Sequence, residues 1–546
     1  MATQKFKLAV NNAKFPFLYS RAGRSVVQPG LDVAPRTSVG FVGGPESYDY
    51  NMVAIIYAEN VLPMAEGVFS VGKQDALPAY SAPVVNFDQL ITLRDSSERS
   101  FLFSPARGQN YLWNDTTKIW ATHNTFAWSA VRSLVTRAYV NGRTFILYEG
   151  DRLIEWNAST SSFDTLTLTL PAGYTMANIR SCLGASNYLI LLTDVEVLWS
   201  SALNILDFAD PIGKAGKQTP IDLKGQLTCG VPISGGFVVY TDRNAVGAFF
   251  TNNPDLPFSF REIQGSGGVA TYEQVTSEAN QAQHYTYGSS GIQLVTLQSA
   301  VPILPDCADF LSSHDYETWD TGPGQVVFSV LLGALDVKLQ YLANRYLVVS
   351  YGKISGQFTY ALFYDEALKR WGKIRCDHID VTVLPTSIAA ALDLRIFELT
   401  SPISRYEMAI QDLVSAYAAV LPLRAGFAFL QNTGLVKALV ADTSVATEGG
   451  VVILGHVQVA RSRLITHQRF VADGLEPAPV PKVRLLTSSS GNGHARDGIF
   501  TPTLFAERPT QRSYVGRVTC ENFDIAIEGK FALTSGIVET TVHGSR

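Results

Sequence analysis

Three tryptophans, Trp113, Trp156 and Trp199, stand 43 residues apart, each closing a short run with strand character: YLWN, IEWN and VLWS. A self-similar period of about 40–50 residues marks arrays of small sheets, β-propellers foremost. One such sheet cannot bury both of its faces alone, so neighbouring sheets must cover them. The period continues in the apolar positions Phe101, Phe145, Leu189, Phe237, Tyr285 and Leu347, spaced 44, 44, 48, 48 and then 62 residues. Each unit has a central apolar run, a turn rich in Asp, Gly or Asn, and a second run ending in an aromatic residue, which is the pattern of hairpins. The tryptophans are therefore expected to fill the wedges between sheets rather than to line a ligand site.

The 546 residues are enough for a large propeller and at least one further domain. Residues 83–449 hold the repeats and are expected to form about six to seven blades. Irregular inserts interrupt them near 302–335, read as a helix or loop excursion, and near 383–425. GFAFLQNTGLVKALVAD (426–442) reads as a hairpin that supplies a seventh blade or closes the ring. Closure matters because an open array leaves bare strand edges. Residues 1–82 do not share the period and read as platform strands. Residues 450–546 alternate apolar and polar over long runs such as VVILGHVQV and FDIAIEGKFALTSGIVETTVHG, which predicts a C-terminal antiparallel sandwich or barrel. The fold class is thus all-β: a propeller plus a platform or sandwich built from both ends of the chain.

Apolar residues make up 46% and charged residues 17%, with a net charge of −5. No Lys/Arg-rich run offers the basic patch that tight phosphate binding requires. Cys182, Cys229, Cys307, Cys376 and Cys520 are scattered, odd in number and without a CxxC pair, so neither a disulfide framework nor a zinc site is expected. The N-terminus lacks an apolar h-region, and no run of 18 apolar residues occurs, so neither a signal peptide nor a membrane-inserted helix is expected.

No nucleophile elbow, phosphate loop, HExxH helix or EF-hand loop is present. GSGG (265–268) lies between strand-like runs and opens no helix, so it is not read as a phosphate cradle. CDHID puts Cys376, His378 and Asp380 on one face of an extended strand, a set a metal can use. No second ligand cluster accompanies it, and the end of a blade strand explains it as well. HDYE (314–317), in the irregular insert, offers an acid/base pair, but isolated charged loop residues are usually solvated. The sequons at Asn114 and Asn157 carry no weight without a secretion signal. No cofactor and no catalytic residue is expected, and the chain is read as a non-enzyme.

Several segments resemble the tail nozzle proteins of short-tailed bacteriophages, also called packaged-DNA stabilisation proteins. They are ENVLPMAEGVFSVG (59–72), SNYLILLTDVEVLWSSALNILDFADP (186–211) with its W-S-x-x-x-N-x-x-D-F pattern, NNPDLPFSFREIQGSGG (252–268), ALFYDEALKRWGKI (361–374), and the tail from YVGRVTC onward. The resemblance covers most of the chain; 383–425 matches nothing in the pattern. It implies a homo-hexameric tube in the virion tail, assembled in the bacterial host cytoplasm. One end would meet a head-to-tail adaptor protein, with tail spike, fibre or needle proteins as further partners. Packaged dsDNA would pass through the lumen without specific binding, which suits a wall of low positive charge. A loop that narrows the channel is then expected, and the Gly/Ser/Asn-rich SSSGNGHARDG is the candidate, with Ser488, Gly491, Asn492, Gly493, His494, Arg496 and Asp497. The competing reading is a propeller module of a tail fibre or host-recognition protein that binds a receptor or glycan. It requires an exposed aromatic cluster on one propeller face.

Overall fold

The computed structural model describes residues 135–383 almost throughout and, outside that span, mainly the strands within 3–9, 50–76, 89–125, 427–457, 463–487 and 501–545. Among the described residues, seven four-stranded antiparallel units follow one another around a ring. Blade 1 comprises Gln89–Thr92, Ser100–Ser104, Gln109–Asn114 and Ile119–Thr125. Blade 2 comprises Val135–Val140, Arg143–Tyr148, Arg152–Asn157 and Ser162–Leu166. Blade 3 comprises Ser181–Ala185, Tyr188–Leu192, Val197–Trp199 and Gly216–Gln218. Blade 4 comprises Leu227–Ile233, Gly236–Thr241, Ala245–Phe250 and Phe258–Glu262. Blade 5 comprises Val275–Ser277, His284–Gly288, Gly291–Val295 and Ala300–Pro302, and blade 6 Lys338–Leu342, Tyr346–Ile354, Gln357–Asp365 and Arg370–His378. Blade 7 takes Asp380–Val383, Phe427–Leu430 and Val436–Leu439, and its fourth strand is Gln74–Ala76. The first strands of blades 2 to 7 lie side by side in order, and that of blade 7 lies against that of blade 1. The fold is an all-β propeller.

Blade 2 shows how the sequence builds a unit. VTRAYV and RTFILY are joined by Asn141-Gly142, both with positive φ (50° and 78°), the backbone a two-residue hairpin needs. In the units whose burial is described, the second strand is the most buried, because it has sheet on both sides and a blade on each face. Phe145, Leu189, Phe237 and Leu347 are wholly buried there, as the period requires. Trp156 and Trp199 end third strands and are buried. Trp199 meets Phe258 edge-on at 5.7 Å between blades 3 and 4. The side chain of Trp113 lies outside the described residues.

Neighbouring blades are also tied by polar side chains. Thr136 of blade 2 accepts the backbone N–H of Cys182 of blade 3 at 3.0 Å. His284 of blade 5 spends both ring nitrogens on blade 4: Nε2 donates to the Pro232 carbonyl (2.9 Å) and Nδ1 accepts from the Tyr240 hydroxyl (2.8 Å). Gln340 of blade 6 reaches blade 7 in both directions, donating to the Val381 carbonyl (2.7 Å) and accepting from its N–H (3.1 Å).

The insert near 302–335 holds helix as well as strand: Cys307 and Leu311 are helical. Within 302–335, expected to be a helix or loop, Asp315–Asp320 and Gln325–Val330 pair as an antiparallel hairpin. The runs DYETWD and QVVFSV are rich in aromatic and β-branched residues and flank Gly-Pro-Gly, so strand propensity and turn chemistry both act locally.

Strands from both chain ends form the second domain. In one sheet, Ala54–Glu59 pairs with Gly450–Val457, followed by Phe523–Gly529, Lys482–Thr487 and Thr501–Leu504. The other sheet continues directly from blade 6. Past Arg370–His378 come Val61–Met64, Gly67–Ser70, Phe531–Ser545, Arg463–Leu475, Ser513–Cys520 and Ala506–Arg508. The two sheets face each other across one core. Val452, Leu454, Val483, Leu485, Ile525 and Ile527 meet Val68, Phe470, Phe531 and Leu533. The same core runs on through Leu347, Tyr351, Tyr360 and Trp371 of blade 6.

The junction carries charge as well. The buried Lys373 ammonium sits 5.0 Å from the Tyr57 ring and 4.8 Å from the Tyr360 ring, one aromatic from each domain. Such cation–π contacts gain strength when desolvated. Beside it, Arg375 pairs with Glu59 at 3.6 Å, and the Arg375 N–H donates to Asn60 Oδ1 at 3.0 Å.

Candidate interaction surface

The residues that read as a metal set serve packing instead. His378 is fully buried: its Nδ1 donates to the Cys376 carbonyl (2.6 Å) and its Nε2 accepts from the Ser350 hydroxyl (2.8 Å). Burial lowers its pKa to about 4, so the ring is neutral. Asp380 turns to a different partner, the buried Lys338 ammonium at 3.0 Å, which also faces Glu273 at 3.5 Å. Burial works against the Lys338 charge, but the two carboxylates outweigh it and raise its pKa. Among the described residues no group of three or more His, Cys, Asp or Glu is placed to hold a metal. Of HDYE, His314 lies outside the described residues, and Asp315–Glu317 begin the hairpin strand. GSGG forms part of the connection from blade 4 to blade 5, where Gly268 (φ 69°) passes so close to Arg243 that a Cβ would lie 2.4 Å from its backbone nitrogen.

The channel-loop candidates Ser488, Gly491, Asn492, Gly493, His494, Arg496 and Asp497 lie outside the described residues. Among those described, no helix is long and apolar enough to cross a membrane.

What the structure builds with unusual care is the loop 200–215, between the third and fourth strands of blade 3. It is the segment of the W-S-x-x-x-N-x-x-D-F pattern, and LDFADP lies in it, while the fourth strand of the blade follows at Gly216–Gln218. Trp199 anchors its base and donates from Nε1 to the Lys214 carbonyl at 2.9 Å. The Ser200 hydroxyl accepts the Leu189 N–H at 3.0 Å. Asn204 Oδ1 accepts from Leu206 N and Asp207 Oδ1 from Ala209 N, two Asx turns. Phe208 is 1% exposed and packs between blades 2 and 3. Its N–H donates to the Thr169 carbonyl of the segment that follows blade 2.

Asp210 is the hub. It accepts from the Ser201 hydroxyl (2.9 Å), Gly213 N (3.0 Å) and Ile212 N (2.9 Å). The Ser201 hydroxyl, with those N–H groups, holds its carboxyl below the usual carboxylate range. Gly213 is required by proximity, since a Cβ there would fall 1.8 Å from Ser201 Oγ.

This braced loop holds apolar side chains in solvent. Leu203 is 76% and Ile212 80% exposed. Leu256, on the loop between the third and fourth strands of blade 4, is 47% exposed, and an ion pair between Lys214 and Asp255 (2.5 Å) joins the two loops. Scattered exposed apolar residues are ordinary. Here they stand on backbone already fixed by hydrogen bonds, so little ordering entropy remains to be lost on contact with another molecule. Both segments stand out in the sequence by their family resemblance, but their outward-facing apolar side chains do not. The available signal was Leu and Ile falling between turn-forming Asp, Gly and Pro, out of phase with any strand.

No protein-family profile matches the sequence, and no curated protein matches it. Among solved structures, the chain is similar to the structure of U3-55K, with a TM-score of 0.35 and 10% identity over 56% of this chain and 88% of that one. It is similar also to the crystal structure of the RRP9 WD40 repeats, at 0.34 and 10% over 57% and 89%. A third is the β-propeller domain of Cps50 (Swd1) from Myceliophteria thermophila, at 0.35 and 9% over 57% and 92%.

Proposed function

We propose that this chain is a structural subunit of a multi-subunit assembly: a ring-forming nozzle in a short phage tail, with no catalytic role. The ring would be a homo-hexamer that extends the portal–adaptor channel and retains packaged DNA until ejection. Its neighbours would be the head-to-tail adaptor and the spike, fibre or needle proteins. The observation that carries this reading is the coincidence of two features. The segments 186–211 and 252–268 resemble the nozzle family, and they are also the segments braced to display Leu203, Ile212 and Leu256. A ring needs head-to-tail contacts between unlike surfaces, and rigid apolar projections suit one side of such a contact. The fused propeller and end domain support it further, because one sheet and one core through both lobes make a stiff subunit.

The test is a Leu203→Ser/Ile212→Ser double variant. Both side chains are exposed, so stability should change by about 0.5 kcal/mol or less per site. Mass photometry should show rings lost or weakened at least tenfold in subunit affinity. Unaltered rings would remove this surface from the account. A receptor-binding propeller remains the second reading. Tyr139, 63% exposed on the first strand of blade 2 beside the exposed Arg137, favours it. That reading expects the wild-type protein to bind a host glycan or protein as a monomer or trimer.

A further inference from the structure

Blade 7 is closed by a strand from the other end of the chain, and the route to that strand passes through the end domain. Residues 61–76 make the connection. At Asn60, whose φ is 54°, the chain turns from one sheet of the end domain into the other. Val61–Met64 then lies along the outer edge of blade 6, with Val61 opposite Lys373. Gly372 permits this approach, since a Cβ there would sit 2.6 Å from the Val61 carbonyl oxygen. Gly67–Ser70 pairs with both Val61–Met64 and the start of Phe531–Ser545. Ser70 fixes that contact: its hydroxyl accepts the Phe531 N–H (2.9 Å) and lies 3.3 Å from the Phe531 carbonyl as donor.

The next residue serves the propeller. Val71 is 1% exposed and packs with Val348, Phe363, Ile374, Val381, Phe427 and Phe429, the core between blades 6 and 7. Its N–H returns to the Asn60 carbonyl at 2.8 Å. Gly450 lets the corner close, because a Cβ there would lie 2.5 Å from the Asn60 oxygen and 2.9 Å from Ser70 Cβ. Three residues beyond Val71, Gln74–Ala76 completes blade 7 against Val436–Leu439.

The geometry points to a latch: residues 61–76 couple the end domain to ring closure, so that displacing Phe531–Ser545 loosens the blade 7 closing strand through Ser70 and Val71. Two adjacent residues, Ser70 and Val71, hold the end domain and the seam between blades 6 and 7, and only two residues of chain separate Val71 from the closing strand. A coupling of this kind is reciprocal: whatever loosens one end loosens the other, and pinning one protects the other. The inference concerns the single chain and stands whether or not subunits form rings.

Hydrogen exchange on the full-length protein tests it in both directions. Ser70→Ala removes the hydroxyl from Phe531 without adding bulk. Amides of Phe427–Leu430 and Val436–Leu439 should then exchange at least tenfold faster, while those of blades 3 and 4 stay within twofold. In the reverse direction, Ala76→Cys/Lys437→Cys, oxidised, pins the closing strand and should slow exchange around Phe531–Leu533 at least threefold relative to its reduced form. This arm does not depend on the folding of Ser70→Ala. Unchanged blade 7 exchange in Ser70→Ala, equal acceleration in all blades, or no effect of the cross-link on Phe531–Leu533 overturns the latch.

Discussion

Blades 3 and 4 and blades 6 and 7 solve the same packing problem in different ways. The core between blades 3 and 4 draws on a single stretch of chain, from Leu183 to Phe258, with Phe258 set edge-on to Tyr188, Trp199 and Phe237. The core between blades 6 and 7 needs Leu62 and Val71 from the N-terminal segment as well as Phe427 and Phe429. Blade 6 in turn shares its sheet and its core with strands from both chain ends. Local closure lets a region form once its own hairpins exist. Borrowed closure makes a region wait for distant segments and pay their loop entropy first. The contrast implies that blades 3 and 4 are an autonomous unit, and that blades 6 and 7 are stable only with the end domain.

The largest effect should come from removing residues 1–82. The truncated chain loses Ile55, Ala58, Val61 and Val68 from the shared core and the closing strand of blade 7. Hydrogen exchange should show blades 6 and 7 unprotected while blades 3 and 4 keep slow amides. Full protection in blades 6 and 7 would break the comparison.

Next come single substitutions. Asp380→Ala leaves the buried Lys338 ammonium with the Ile379 carbonyl and, as its one nearby carboxylate among the described residues, the half-exposed Glu273, and should cost about 3–5 kcal/mol in urea unfolding. Adding Lys338→Met should recover much of that loss. Phe258→Ala should cost a similar amount, about 3–5 kcal/mol, by opening a cavity between blades 3 and 4. Its effect on exchange should stay within blades 3 and 4, whereas that of Asp380→Ala should spread into the end domain.

A third test uses pH. Burial lowers His284 and His378 to about 4, from an unfolded value near 6.5. Between these values the unfolded chain binds more protons, so stability rises with pH across that window. The contribution is complete above pH 6.5 and is lost as pH falls to 4, at about 3 kcal/mol for each histidine at most. His284 joins blades 4 and 5, and His378 bonds within blade 6 while its ring faces Phe429 of blade 7. Denaturant midpoints measured at pH 4.5 and 7 should therefore differ markedly, and a flat profile would show that neither ring is held neutral. The smallest effect belongs to Lys214→Ala. Its ion pair with Asp255 is exposed, and stability should fall by less than about 1 kcal/mol.

The first six blades are legible because each sets a large apolar residue in its second strand and an aromatic or apolar residue near the end of its third. Phe145, Leu189, Phe237 and Leu347 keep that place whatever the loops do. Blade 7 was only partly legible. FAFL and VKAL read as a hairpin, but no periodicity can announce that Gln74–Ala76 pairs with Val436–Leu439 from so distant a part of the chain. The insert at 302–335 shows the other limit: a helix or loop accounts for Cys307 and Leu311, but not for the strands at Asp315–Asp320 and Gln325–Val330. In the loop 200–215, the motif spacing is readable, while the outward direction of Leu203 and Ile212 follows from Asp210 and Ser201 drawing the backbone inward. The channel-loop residues 488–497 rest on composition alone.

The proposed assembly into a ring through braced surface loops is tested most directly by negative-stain imaging of the purified protein over a hundredfold range of concentration, alone and with a head-to-tail adaptor protein. Six-membered rings with a central pore, the propellers placed alike in every subunit, are the expected result. Monomers at every concentration, and no ring on the adaptor, would contradict it.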